Sequence, residues 1–168
     1  MSHSHPNNQN FLIIGDSHIK HIPTHIFTNH FHIVTRSISG LRWLNPRNPQ
    51  LCVYHLVTQS DLSSFIDTIS NILFIVGTNS VRNLPAPQVI TELHYLLNYL
   101  YTRYPHLNSY NKIMIAKTFQ CLKPSYAFPN VDLLQHNITL YNDMLVPLSH
   151  QYHFMPIAYM SNLKLEFN

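Results

Sequence analysis

The sequence predicts an α/β fold, a three-layer α/β/α sandwich around a five-stranded parallel sheet, and three observations carry that expectation. Short unbroken apolar runs at residues 11–14, 72–76 and 113–116 are of strand length and suit strands buried on both faces. Between them lie stretches whose apolar residues recur at helical spacing. The intervals are long enough for the crossovers that parallel neighbours require.

Taken in order, residues 1–10 are polar and rich in His and Asn, and read as a loose tail before a domain at 11–168. The first strand, 11–14, stops at Gly15 and is followed by two small polar residues, Asp16 and Ser17. Ile19, Ile22, Ile26 and Phe27 predict a short helix beginning near Ser17, with Pro23 in its first turns or bending it. Residues 31–36 alternate as a second strand should. The segment 37–50, holding Gly40, Trp43, Pro46 and Pro49, reads as loop, and 51–57 fits a short strand or part of a helix. Ser60 or Asp61 caps a helix to about residue 70, with Leu62, Phe65, Ile66 and Ile69 on one face.

The run 72–76 is the third strand. A loop with Pro85 and Pro87 leads to a helix over about 88–104, carrying Val89, Leu93, Leu96, Leu97 and Leu100 at core spacing. The fourth strand is 113–116. A helix over 132–148 turns Leu134, Ile138, Tyr141 and Leu145 inward, and 153–159 is the fifth strand. No internal repeat, linker or second domain is evident.

At 168 residues the chain fits one domain with a sizeable core, and 45% hydrophobic residues argue against disorder. Charged residues are only 10%, so solubility rests on Asn, Ser, Thr, His and Gln. A net charge of +3 is too mild to imply nucleic acid by itself. Cys52 and Cys121 fit neither a metal pair nor a disulfide framework and read as thiols in a reducing compartment. Residues 1–10 hold no apolar stretch of the signal-peptide kind, and no run approaches the roughly 18 apolar residues of a membrane span. The expectation is a soluble, cytoplasmic protein.

Function is legible first in the glycines. The chain has three, Gly15, Gly40 and Gly77, where average usage predicts roughly a dozen. Each follows an apolar or β-branched stretch, so each marks a backbone position that a Cβ would spoil. Gly15-Asp16-Ser17 is also ordinary turn composition. At the carboxyl end of a central parallel strand, however, such a turn lies where open α/β folds place their chemistry.

In that setting Gly15-Asp16-Ser17-His18 resembles the first block of the SGNH (GDSL-type) hydrolases. Ser39-Gly40-Leu41-Arg42 sits where their second-block glycine falls, and Val76-Gly77-Thr78-Asn79 is similar to their third block, Gly-x-Asn. The resemblance covers about residues 11–160. It implies a flavodoxin-like strand order 2-1-3-4-5 and a serine esterase acting on acyl or acetyl esters, with no cofactor and no metal. Ser17 would be the nucleophile, and Gly40 and Asn79, with the Ser17 N–H, the oxyanion donors. The chemistry needs such donors, because attack on an ester carbonyl develops negative charge on oxygen. Asn79 would otherwise be a turn residue, and Asp16 a structural acceptor in the loop.

The family's last block, Asp-x-x-His, supplies the base and its orienting carboxylate. No aspartate follows Asp143, so neither role carries over, and the expectation is a chain cut short as Leu165-Glu166-Phe167-Asn168 approaches that block. Among the 13 histidines, His153 starts the last strand at the far edge, and His150 lies near it. His18 would diverge from Ser17 on a helix, and His21, four residues on, would come nearer. His18, His21 and His25 share a predicted helical face and His30 and His32 a strand face, without a cysteine or acid to complete a zinc site. Lys20, Arg36, Arg42, Arg82, Lys117 and Lys123 fall at or after the carboxyl ends of strands. They form either a solvated rim or a positive one favouring an anionic substrate or a phosphate backbone. Trp43 and the ten tyrosines read as core and surface aromatics rather than a base-stacking platform. The partner expected is thus a small-molecule ester. The alternative is a non-catalytic SGNH-like module binding a ligand or nucleic acid, as a piece of a retroelement-type polyprotein would.

Overall fold

A computed structural model describes residues 9–158. It is a mixed α/β domain whose sheet is flanked by helices, the three-layer class the sequence predicts. Among the described residues the sheet has six strands rather than five, in the order β2-β3-β1-β4-β5-β6. The strands are β1 (Gln9–Gly15), β2 (His25–Phe27), β3 (Phe31–Ser37), β4 (Ile69–Ile75), β5 (Ile113–Ala116) and β6 (Met155–Ile157). All pairings are parallel except that of β2 with β3. Without β2, the parallel strands follow the 2-1-3-4-5 order.

The additional strand is where the expected helix after Ser17 fails. Only a 3₁₀ turn forms, Ser17–Ile19. The chain then passes Pro23, which cannot continue a helix ladder, and returns as an edge strand. The Thr28 hydroxyl closes the hairpin by accepting from the N–H groups of His30 (3.2 Å) and Phe31 (3.0 Å). Pairing with β3 thus overrides the helical spacing of Ile22 and Ile26.

Other boundaries move for similar reasons. Gln9 and Asn10 belong to β1, not to the tail, because they pair with Phe31 and His32; residues 1–8 lie outside the described set. The undecided stretch is helix α1 (Val53–Thr58). Helix α2 (Ser60–Ile66) has no side-chain cap from Ser60 or Asp61, and Ile69 belongs to β4 rather than to the helix. Helix α4 (Ala86–Arg103) takes Pro87 into its first turn, where a missing N–H costs nothing. It follows α3 (Thr78–Val81), a single turn. Helix α5 (Val131–Tyr152) is capped by Asn130, whose side chain accepts from Asp132 N at 2.7 Å, and runs through Pro147. His153 ends it in the left-handed region at φ 56°, so β6 is shorter than predicted; Tyr159 lies outside the described residues.

One core joins the helices to the sheet. Leu12, Ile14, Ile72 and Phe74 point into it with Val53, Val57, Leu62, Leu93, Leu97, Ile138 and Leu145. Burying each such side chain contributes about 1.5–3 kcal/mol before entropy is charged against it. The alternate side chains Phe11, Ile13, Ile33, Leu73 and Met114 are half-buried, so the opposite face of the sheet is apolar but more open among the described residues. The central position of β1, between β3 and β4, sets the place of everything that follows it.

Candidate active site

Gly15 pairs with Ser37 of β3 on one side and Ile75 of β4 on the other. Three loops therefore leave the sheet side by side at its carboxyl edge, carrying Ser17, Gly40 and Asn79. Backbone hydrogen bonds stitch them together. Ile38 N donates to Gly15 O (3.0 Å), and Asp16 N to Ile75 O (3.2 Å). The Ser37 hydroxyl donates to Asp16 O (3.0 Å), and Trp43 N to the hydroxyl of Ser80, next to Asn79 (3.1 Å).

Each glycine has a physical reason. A Cβ on Gly15 would stand 2.7 Å from Ile19 Cδ1, so the bare backbone lets the 3₁₀ turn fold onto the strand end. Gly40 (φ +82°) and Gly77 (φ +139°) hold conformations that L side chains rarely adopt. Leu41 and Trp43, just after Gly40, are fully buried and anchor the loop.

Ser17 is half-buried at the start of the 3₁₀ turn. Asn79 is half-buried in α3. Its carbonyl accepts from Asn83 Nδ2 (2.6 Å), while its side-chain amide holds no hydrogen bond among the described residues. Asp16 is 1% exposed and accepts from the His18 N–H at 3.0 Å, the structural role read from the sequence. It does more. The His18 ring turns back so that Nδ1 meets the same Asp16 oxygen, and packs edge-on against Phe119 with ring centres 4.2 Å apart. This Asp16–His18 pair is not legible in the sequence, because a helix beginning near Ser17 would carry His18 outward. Only the i, i+2 spacing of Asp16 and His18 around Ser17 hints at it.

The pair borders a notch of about 10 Å³, room for one water, with Thr78, Lys117, Thr118 and Phe119 around it. The Thr118 hydroxyl there is buried without a partner among the described residues. The Asn142 amide clamps the main chain of Thr118, accepting from its N–H (2.8 Å) and donating to its carbonyl (2.7 Å).

The other histidines disperse. His21 is exposed beyond the 3₁₀ turn, His25 lies in β2, and the helical face expected for His18, His21 and His25 does not form. His25 and His32 meet instead across the hairpin, Nδ1 to Nε2 at 3.1 Å. His150 and His153 sit at the amino edge of β6, away from Ser17. Among the described residues no three His, Cys, Asp or Glu side chains converge to hold a metal ion. Both cysteines are free thiols, and no helix among the described residues is long and apolar enough to cross a membrane.

The expected basic residues split by role. Arg82 donates to Pro124 O (3.3 Å) and its carbonyl accepts from Ser125 Oγ, tying α3 to the loop after β5. Lys20 and Lys123 are exposed. Arg42, two residues past Gly40, opens onto a large cavity beside the three loops.

No family model matches the sequence, and no curated protein does either. Solved structures match its fold. A carbohydrate acetylesterase from Sinorhizobium meliloti superposes with a TM-score of 0.65 at 10% identity, over 90% of this chain and 84% of that one. An aryl esterase from M. smegmatis gives 0.61 at 13% identity, over 89% and 83%. A GDSL-like lipase from Bacteroides thetaiotaomicron gives 0.58 at 11% identity, over 90% and 68%.

Proposed function

We infer, from a fold that is that of the SGNH (GDSL-type) acylhydrolases and esterases, that this chain is a serine ester hydrolase acting on acyl or acetyl esters of small molecules. The observation that carries the reading is the stitching of the Ser17, Gly40 and Asn79 loops at the carboxyl edge of three adjacent strands. Ser17 Oγ attacks the carbonyl carbon of the ester. The N–H groups of Ser17 and Gly40 and the amide of Asn79 receive the oxyanion, each such donor worth about 3–4 kcal/mol of barrier. The tetrahedral species collapses, the alcohol leaves with a proton, and water then releases the acid from the acyl-serine.

The serine needs a proton acceptor. In this reading it is His18. With Nδ1–H on the Asp16 carboxylate, the neutral ring carries its lone pair on Nε2, the tautomer a general base requires. The test is hydrolysis of a short-chain nitrophenyl ester by the chain and by Ser17→Ala. Turnover lost in Ser17→Ala supports the reading. Turnover equal in both, or absent from both, leaves the non-catalytic binding module as the better account.

A further inference from the structure

Beside the three loops lies a cavity of about 660 Å³, within the usual size range of small-molecule sites. One wall is the segment 42–51, folded on itself by Arg42 N to Leu51 O (3.0 Å) and by Asn48 N to the Asn45 side chain (3.2 Å). The other runs from Asn83 to Glu92. Asn83 connects it to the site, because its amide donates to the carbonyl of Asn79, while Arg42 connects it to Gly40. The cavity thus opens between the stretches that follow Gly40 and Asn79, which leave the strands on either side of β1 and its Ser17 turn.

The lining has a definite chemistry. Arg42 and Arg47 bring two guanidinium groups, and neither has a carboxylate within ion-pair distance among the described residues. Asn45, Asn48 and Asn83 bring side-chain amides, which both donate and accept. Glu92 is half-buried, and its Oε2 is shut off from solvent without a hydrogen-bond partner among the described residues. Unpaired guanidinium forks suit a carboxylate or phosphate, and amides suit hydroxyls.

Resting on the hydrolase reading above, we propose that this cavity receives the alcohol half of the ester, and that this alcohol carries an anionic group and hydroxyls. Arg42 and Arg47 take the anion, and the asparagine amides take the hydroxyls. Burial pushes the Glu92 carboxyl up to about 7 against the opposing pull of the Leu44 N–H and Arg42, so at neutral pH much of it is protonated and sets little negative charge against the incoming anion.

The experiment compares acetyl esters of glycerol, glycerate and glycerol 3-phosphate. A preference in kcat/KM of roughly ten- to a hundredfold for an anionic ester over the neutral one is expected, since charged hydrogen bonds are of that strength. Glycerate and glycerol 3-phosphate tell carboxylate from phosphate recognition. In Arg42→Gln/Arg47→Gln the anionic-to-neutral ratio should fall towards one; the exposed Arg47→Gln alone, should the double variant not fold, should lower it in part. A wild-type ratio near one, or a ratio unmoved by the substitutions, overturns the proposal. If no ester is turned over, the hydrolase reading fails separately, and binding of free glycerol 3-phosphate and glycerate is followed by NMR. Arg42- and Arg47-dependent binding keeps the anion site, and no binding overturns it. Tighter, arginine-dependent binding of a short single-stranded RNA than of either small anion also overturns it, as the groove would then serve a phosphate backbone.

Discussion

The Tyr141 hydroxyl accepts a 3.1 Å hydrogen bond from the indole N–H of Trp43, and both side chains are fully buried. Residues 98 positions apart thereby lock the loop after Gly40 onto α5. Tyr141→Phe keeps the ring and strands the indole N–H. The expected cost is about 1–3 kcal/mol in urea unfolding, the penalty of an unpaired buried donor. Because the Gly40 loop is held by this bond, ester turnover should fall as well. A variant as stable as the parent would show that the indole finds another acceptor.

Gly77→Ala is the sharpest test of backbone at the site. The new Cβ would lie 2.7 Å from Thr118 Oγ1 and 3.3 Å from the Tyr141 hydroxyl, at a φ of +139°. Strain of this kind costs on the order of 1–3 kcal/mol. A fall in the urea midpoint with an unchanged m-value is expected. An unchanged midpoint would mean that α3 starts elsewhere.

Glu92 gives stability a pH dependence. Its carboxyl is raised from the ordinary 4.5 to about 7, chiefly by burial, so the folded state holds the proton more tightly than the unfolded chain does. The stabilising contribution is complete below about 4.5 and is lost as pH rises through 7. Glu92→Gln should match the parent near pH 4 and exceed it near pH 8 by on the order of 1 kcal/mol. The solvated groove side of this half-exposed group screens the rest. Unfolding curves that run parallel from pH 4 to 8 would refute the assignment.

His18 and His21 separate two accounts of the base. If Asp16–His18 serves Ser17, His18→Ala should lower kcat by about 10²–10⁴, the usual worth of general-base catalysis, while His21→Ala stays near the parent. Asp16→Asn should also lower kcat, because it removes the carboxylate that holds the His18 ring in place. Turnover that needs Ser17 but not His18 would place the proton acceptor elsewhere in the chain.

The cavity between Arg42 and Glu92, the buried Asn137 and the Asp16–His18 pair differ from the sheet in how far a sequence can disclose them. Strand runs such as Ile72 to Phe74 and Ile113 to Ala116 declare themselves locally, since burial on both faces demands continuous apolar residues. The three glycines do so too, because a chain sparing with glycine keeps it where the backbone has no alternative. These local demands are enough to determine the α/β class, the parallel sheet and the edge at which Ser17, Gly40 and Asn79 emerge.

Pairing and contact between distant residues were decided only in three dimensions. His25 to Phe27 became a strand because β3 offered unpaired edge groups, not because the segment has strand periodicity. Asn137 looks like one more polar residue in a helix. Its side chain in fact accepts from Ala86 N (2.7 Å) and donates to the carbonyls of Val81 (2.8 Å) and Leu84 (3.0 Å), satisfying the turn between α3 and α4. Glu92, one helical turn from Gln88, has its carboxyl raised by burial, with the Leu44 N–H and Arg42 pulling the other way, and all three exist only once the chain has folded. The physical reason is the range of the forces involved. Periodicity and backbone strain act within a few residues and are written along the chain, whereas desolvation, buried hydrogen bonds and groove walls exist only once separate segments have met.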